Sequence, residues 1–142
     1  MMKNLPICVD ASFVVVLLMK KNVSVQSHWH EWLDEGRTII SPALMRFEVV
    51  NSLHQYWRHK QLPSDVMQEF VNVLYDLPIS LQTHPELHTR AAMLAQQLNL
   101  GATYDAHYVA LAQLFGAELW TLDARLHRRF SEVTSLVHLI AS

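Results

Sequence analysis

The sequence predicts an α/β fold, in which a central parallel sheet of four to five strands has helices on both faces. Two short apolar segments, residues 7–9 and 119–122, have the composition of buried strands, and an aspartate follows each of them at once. Segments with helical spacing of apolar residues separate the strand candidates along the chain. Strands that alternate with helices pair in parallel through right-handed crossovers, which place the helices on the two faces of the sheet.

The composition indicates a single domain over residues 1–142. The chain is 51% hydrophobic and contains only 3 glycines and 5 prolines, so it has the material for a core and shows no linker. The single cysteine, Cys8, excludes an internal disulfide. The longest apolar run, residues 13–19, is too short to span a bilayer. We therefore expect a soluble, cytoplasmic protein that does not contact a membrane.

Capping residues predict where several helices begin. Ser12, Ser24 and Thr103 are N-cap residue types placed just before apolar or amphipathic segments. Ser41 followed by Pro42 combines an N-cap with proline at the first helical position, so a helix should begin there. With their caps, the predicted helices cover residues 12–19, 24–36, 41–60, 64–77, 87–98, 103–116 and 124–130, and the predicted strands cover 7–9, 38–40, 79–81, 119–122 and 133–140.

Four acidic residues occupy positions where each has an ordinary structural explanation. Asp10 and Asp123 directly follow strands and could simply cap the next helices. Asp105 lies in the first turn of a helix, where the helix dipole stabilises a negative charge. Glu48 lies inside a helix, where glutamate is a good helix former on a solvated face. Taken one at a time, none of the four requires a function.

Taken together, the four acids suggest a metal site. Parallel strands present their carboxyl ends at one edge of the sheet, so Asp10 and Asp123 should lie at that edge, and helices can bring Glu48 and Asp105 to it. Clustered carboxylates repel one another unless a cation binds them. Ligation by oxygen alone favours Mg²⁺ or Mn²⁺ over zinc.

The acidic residues lie in segments that resemble a known family. The segments at residues 9–12, 47–48, 103–112 and 119–123 are similar, in order, to the acidic blocks of the PIN domain, and most similar to those of VapC-type toxin ribonucleases. The resemblance covers essentially the whole chain, and its third block is the most specific. It implies a three-layer PIN-like fold with strand order 3-2-1-4-5.

The resemblance also carries expectations about the site and the partners. It implies that Asp10, Glu48, Asp105 and Asp123 bind one or two Mg²⁺ or Mn²⁺ ions and are the catalytic residues of a metal-dependent endoribonuclease. Ser12 and Thr121 match hydroxyl positions that support the acids in that family. The same resemblance implies a small antitoxin as partner and a homodimer formed through the helical face. The alternatives are an RNA-processing PIN nuclease outside a toxin pair, or a noncatalytic PIN-fold module that binds RNA or protein.

The charge balance permits an RNA substrate without demonstrating one. The formal net charge is −2, but four of the 13 acids belong to the proposed metal site, which leaves 9 acids against 11 basic residues elsewhere. The basic residues nearest in sequence to the site, and thus possible RNA-binding residues, are Arg46, Arg125, Arg128 and Arg129. A solvated helix face or an ion pair explains each of these arginines equally well.

Overall fold

The computed structural model describes residues 5–141, which contain five strands and seven helices. The strands are β1 (Ile7–Val9), β2 (Ile39–Ser41), β3 (Ser80–Leu81), β4 (Glu118–Thr121) and β5 (Val137–Leu139). The helices are α1 (Ala11–Met19), α2 (Val23–Asp34), α3 (Leu44–Arg58), α4 (Ser64–Asp76), α5 (Leu87–Gln97), α6 (Tyr104–Phe115) and α7 (Ala124–Phe130). Within residues 5–141, no helix is both long enough and apolar enough to cross a membrane.

All five strands are parallel, in the order β3-β2-β1-β4-β5, which confirms the predicted fold class and strand order. Strand β1 is central, pairing with β2 on one side and with β4 on the other, where Val9 lies opposite Trp120. The order reverses between β1 and β4, and ligand sites form outside the carboxyl ends of strands at such a reversal. Asp10 and Asp123 follow these two neighbouring strands.

The core lies between the sheet and two groups of helices. Helix α1 packs on β4 and on α2, α3 and α4, whereas α6 packs on β1, β4 and α5. All three residues of β1 are fully buried, as expected for a central strand covered on both faces. Ala106 and Ala110 of α6 are also fully buried, and their small side chains let this helix approach the sheet closely.

Helix α1 begins earlier than predicted, and its cap is different. The helix starts at Ala11, and the N-cap is Asp10, whose Oδ1 accepts a hydrogen bond from the backbone N–H of Phe13 at 3.1 Å. The prediction that Ser12 caps this helix is therefore wrong. Ser12 lies in the first turn, and its hydroxyl donates to Asp10 instead, because the strand end places that carboxylate within its reach.

Two other predicted helix starts are also wrong. Asn22, and not Ser24, caps α2 by accepting from the backbone N–H of Val25. Ser41 is the last residue of β2, and its buried hydroxyl donates to the backbone carbonyl of Val9 at 2.7 Å, so it is unavailable as a cap. Helix α3 begins three residues later without a side-chain cap. The hydroxyl therefore joins two strands of the sheet.

The remaining differences are small. Thr103 occupies the N-cap position of α6, as predicted, but its side chain makes no capping hydrogen bond. The last strand is shorter than the predicted 133–140, because only Val137–Leu139 pair with β4. Residue 142, at the end of the predicted single domain, lies outside the described residues, as do residues 1–4.

Candidate active site

Asp10 is a buried carboxylate with both oxygens engaged. Its side chain lies at the end of β1 and is only 4% exposed. Oδ1 accepts from the Ser12 hydroxyl at 2.7 Å and from the backbone N–H of Phe13, and Oδ2 accepts from the Thr121 hydroxyl at 2.5 Å. The two predicted supporting hydroxyls thus both donate to the same acid.

The same two hydroxyls also connect the ends of β1 and β4. The Ser12 hydroxyl accepts from the backbone N–H of Leu122 at 3.1 Å, and the Thr121 hydroxyl accepts from the backbone N–H of Asp123 at 2.9 Å. Each hydroxyl therefore donates to Asp10 while it accepts from the segment that leads into α7. This network fixes the backbone of Asp123 relative to the carboxylate of Asp10.

Asp123 caps α7 and uses one oxygen to do so. Its Oδ1 accepts from the backbone N–H groups of Arg125, at 2.9 Å, and Leu126, at 3.2 Å. Both Asp10 and Asp123 thus cap the helix that follows them, as their positions in the sequence allowed. The capping role does not exclude a second role for the remaining oxygen of Asp123, which receives no hydrogen bond from residues 5–141.

Glu48 is fixed by a residue that the sequence did not single out. Glu48 lies on α3, and its Oε1 accepts a hydrogen bond from the hydroxyl of Tyr108 on α6. Tyr108 is 1% exposed. Burial, together with the nearby Glu48, raises the pKa of Tyr108 far above its usual range, so the phenol remains a donor. The available sequence signal was a tyrosine three residues after Asp105, on the same helix face, within an otherwise small and apolar segment.

Asp105 borders a small depression together with Glu48. The depression has a volume of about 170 Å³, and its lining includes Glu48, Tyr104, Asp105 and Arg129. Arg129 lies 3.9 Å from Asp105, measured from Nη1 to Oδ2, and both side chains are more than a third exposed. The ion pair is therefore weak and open to solvent.

Electrostatic repulsion connects all four acids. Burial, with a smaller contribution from the charge of Asp123, raises the pKa of Asp10 to about 6 against the lowering effect of its hydrogen bonds. Burial also raises the pKa of Asp105, again with a contribution from Asp123. Burial raises the pKa of Glu48, and the charge of Asp105 adds to this effect. The chain of repulsions runs from Asp10 through Asp123 and Asp105 to Glu48.

The sequence profile of the PIN domain matches residues 7–132, a segment that contains all four acids. The chain belongs to the PIN-domain family. Among its relatives, Ribonuclease VapC3 of Pyrobaculum aerophilum is 30% identical over 123 residues, which cover 86% of this chain and 92% of the relative. The family resemblance inferred from the acidic segments is confirmed.

Solved structures show the same fold at lower identity. VapBC2 from Rickettsia felis, bound to a DNA fragment from its promoter, matches with a TM-score of 0.68 and 16% identity, covering 97% of this chain and 99% of that one. A toxin–antitoxin complex from Klebsiella pneumoniae matches with a TM-score of 0.65 and 18% identity, covering 94% and 98%. The PIN fold thus accounts for nearly the whole described chain.

The four acids of this PIN domain offer the type of ligand atom that a hard divalent cation prefers. The candidate ligands are carboxylate oxygens, which Mg²⁺ and Mn²⁺ prefer, and a cation would offset the mutual repulsion of the four charges. Within residues 5–141, no three histidine, cysteine, aspartate or glutamate side chains form a preassembled metal-binding group. The fit therefore rests on donor type and charge.

The four arginines predicted near the PIN-domain site are placed differently. The charges of Arg125 and Arg129 both lower the pKa of Asp105. Arg128 is exposed on α7, and no ion pair joins it to an acid within residues 5–141. The guanidinium of Arg46 lies 4.9 Å from the ring centre of Tyr75. Among the four arginines, Arg125 and Arg129 are therefore the two whose charges act on an acid of the site.

Proposed function

We propose that this PIN domain is a Mg²⁺- or Mn²⁺-dependent endoribonuclease and the toxin of a type II toxin–antitoxin pair. The observation that carries the proposal is the series of four carboxylates next to the strand reversal, in which each repels the next from Asp10 through Asp123 and Asp105 to Glu48. The similarity to Ribonuclease VapC3 supports RNA as the substrate. We expect this activity in the cytoplasm, where an RNA substrate and a small protein antitoxin would both be present.

Each acid has a proposed role. Asp10, Asp105 and Asp123 are the candidate direct ligands, and Glu48 is the candidate to bind through water or to orient the attacking water. When bound, the divalent cation would lower the pKa of water and neutralise charge on the scissile phosphate and the leaving oxygen. The hydroxyls of Ser12 and Thr121 fix the carboxylate of Asp10 in one orientation.

Arg125 and Arg129 of α7 are proposed to bind the RNA backbone. Arg129 borders the depression that contains Asp105 and is only weakly paired with it, so a phosphate can compete for its guanidinium. Arg125 is close enough for its charge to act on Asp105. Both arginines would position a phosphate without reading the base sequence.

The products test this mechanism. Because water attacks rather than the 2′-hydroxyl, the products should carry 5′-phosphate and 3′-hydroxyl ends. We expect the purified protein to cleave total RNA with Mg²⁺ or Mn²⁺ and not with EDTA, and Asp105→Asn to lose this activity. Products ending in 2′,3′-cyclic phosphate would refute the mechanism. If neither protein shows metal binding or metal-dependent cleavage, the noncatalytic PIN-fold module becomes the better proposal.

The partners are proposed from the relatives. The Klebsiella pneumoniae structure is a toxin–antitoxin complex, and the Rickettsia felis structure contains VapBC2 on promoter DNA. We therefore expect a short reading frame for a DNA-binding antitoxin immediately upstream of this gene, and a stable complex when the two are co-expressed. Light scattering of the isolated protein tests the homodimer. Without such a reading frame, an RNA-processing PIN nuclease outside a toxin pair is favoured.

A further inference from the structure

Tyr108 brings a polar group into the core from the side of α6. The side chain is 1% exposed and is the largest fully buried one among the described residues. A buried phenol normally has a hydrogen-bond partner. Here the partner is Glu48, an acid of the proposed site that lies 60 residues away on another helix. The contact therefore joins the core to the site.

Helix α6 is connected to two acids of the proposed site. It carries Asp105 directly, and three residues later it carries Tyr108, which donates to Glu48. Side chains three residues apart share a helix face. Because α6 packs on β1, β4 and α5, the helix provides a rigid base for both side chains. The Tyr108 hydroxyl thus links the Glu48 carboxylate to the helix that carries Asp105.

The hydrogen bond also opposes the electrostatic cost at Glu48. Burial and the charge of Asp105 both raise the pKa of Glu48, whereas the bond from Tyr108 lowers it. Within residues 5–141, Tyr108 is the only residue whose side chain donates to this carboxylate. Removing the hydroxyl would leave Glu48 close to Asp105 without its donor.

We propose that Tyr108 is a positioning residue, whose hydroxyl fixes one oxygen of Glu48 and leaves the other available to a divalent cation or to a water molecule. This inference rests on the proposed function. A purely structural role would differ from it: Glu48 would then serve only to pair the buried phenol. In that case Phe at position 108 would remove the need for a partner and would not affect the site.

The substitution Tyr108→Phe separates these two roles, because it preserves the ring and removes only the hydroxyl. We expect Mn²⁺, titrated into the RNA-free protein by calorimetry, to bind about 10-fold more weakly to the variant. With RNA and saturating Mn²⁺, we expect kcat to fall by about 10-fold or more while KM changes by less than about twofold. The melting temperature of the metal-free variant should be only slightly lower than that of the original protein, because Glu48 is half-buried and water can replace the lost donor.

Two controls accompany this variant. Tyr56→Phe makes the same chemical change on α3, the helix that carries Glu48, at a side chain that packs under the ammonium of Lys21. It should leave both Mn²⁺ affinity and kcat unchanged. In a Glu48→Ala background, Tyr108→Phe should change Mn²⁺ affinity by less than about twofold, because its effect acts through Glu48.

Equal Mn²⁺ affinity and equal kcat in Tyr108→Phe and the original protein would overturn the inference while leaving the nuclease proposal intact. An effect of Tyr108→Phe that persists undiminished in the Glu48→Ala background would also overturn it. If the original protein binds Mn²⁺ but cleaves no RNA, the nuclease proposal fails and the Mn²⁺ affinities alone decide the role of Tyr108. If it binds no Mn²⁺, both proposals fail.

Discussion

The two aspartates that follow strands and the two acids carried by helices are fixed in different ways. Asp10 and Asp123 each accept hydrogen bonds from backbone N–H groups and cap a helix, and Asp10 also accepts from two hydroxyls. Within the described part of the chain, Glu48 has one side-chain donor, the Tyr108 hydroxyl, and Asp105 has one weak ion pair, with Arg129. The two strand-end aspartates are therefore held by the backbone hydrogen bonds that begin helices, whereas each of the two helix-borne acids is held by a single side-chain contact.

This difference explains why a structural role and a functional role can coexist at the strand ends. A parallel strand that leads into a helix needs an N-cap at its carboxyl end, and an aspartate provides one. The same position lies at the edge of the sheet where ligands bind. Asp105 has no such capping role, so its substitution should affect stability less, whereas Glu48 also accepts from the buried Tyr108 hydroxyl.

The largest expected effect concerns the buried strand-end acid. The pKa of Asp10 is raised to about 6 from an ordinary 3.8. Between these values the folded protein retains a proton that the unfolded chain has released, so the free energy of unfolding should fall as pH rises from about 4 to 6. The decrease is about 3 kcal/mol. Urea denaturation in EDTA across this pH range measures it.

The matched variant for this experiment is Asp10→Asn. Asparagine also caps helices well and carries no charge, so most of the pH dependence should disappear. At pH 7 the variant should be at least as stable as the original protein, while cleavage is abolished. A large loss of stability at pH 7 would show instead that the carboxylate itself is needed for the fold.

An effect of intermediate size is expected when the stability cost of replacing a strand-end acid is compared with that of replacing a helix-borne acid. Asp123→Ala removes an N-cap that accepts from two backbone N–H groups, and should lower the free energy of unfolding by about 1 kcal/mol. Asp105→Ala removes a repelled charge and an exposed ion pair, so the change should be within about 0.5 kcal/mol. Both variants should lose cleavage. Equal destabilisation by the two substitutions would contradict the comparison.

The smallest effect concerns the basic helix. Arg129→Gln should weaken RNA binding and lower the slope of log affinity against log salt concentration by about 1, as expected for the loss of one phosphate contact. Arg128→Gln removes the same charge from the same helix, at an exposed position with no ion pair to an acid within residues 5–141, and should leave this slope nearly unchanged. Filter binding of RNA to the metal-free protein at several salt concentrations provides the measurement.

The predictions that succeeded depend on local patterns with a strong physical basis. A short apolar segment in a chain of alternating strands and helices is expected to form a buried strand, which placed β1 at its observed bounds and β4 within one residue of them. Burial on both faces holds for β1, whereas only alternate residues of β4 are buried. The strand order came from the resemblance to the PIN domain and is confirmed. The helix starts at Ser12 and Ser24 were wrong because another polar residue, Asp10 or Asn22, serves as the cap. The start at Ser41 was wrong because its hydroxyl bonds within the sheet and α3 begins without a side-chain cap.

By itself, the sequence determined which chain segments form strands and that an acid follows the two central ones, because burial and the strand-to-helix turn are encoded locally. Only the tertiary structure decided which polar groups meet across long separations. The Thr121 hydroxyl contacts Asp10 across 111 residues, and Tyr108 contacts Glu48 across 60. Hydroxyls and carboxylates pair with many partners in principle, so their choice is fixed only when packing brings one donor within hydrogen-bonding distance of one acceptor.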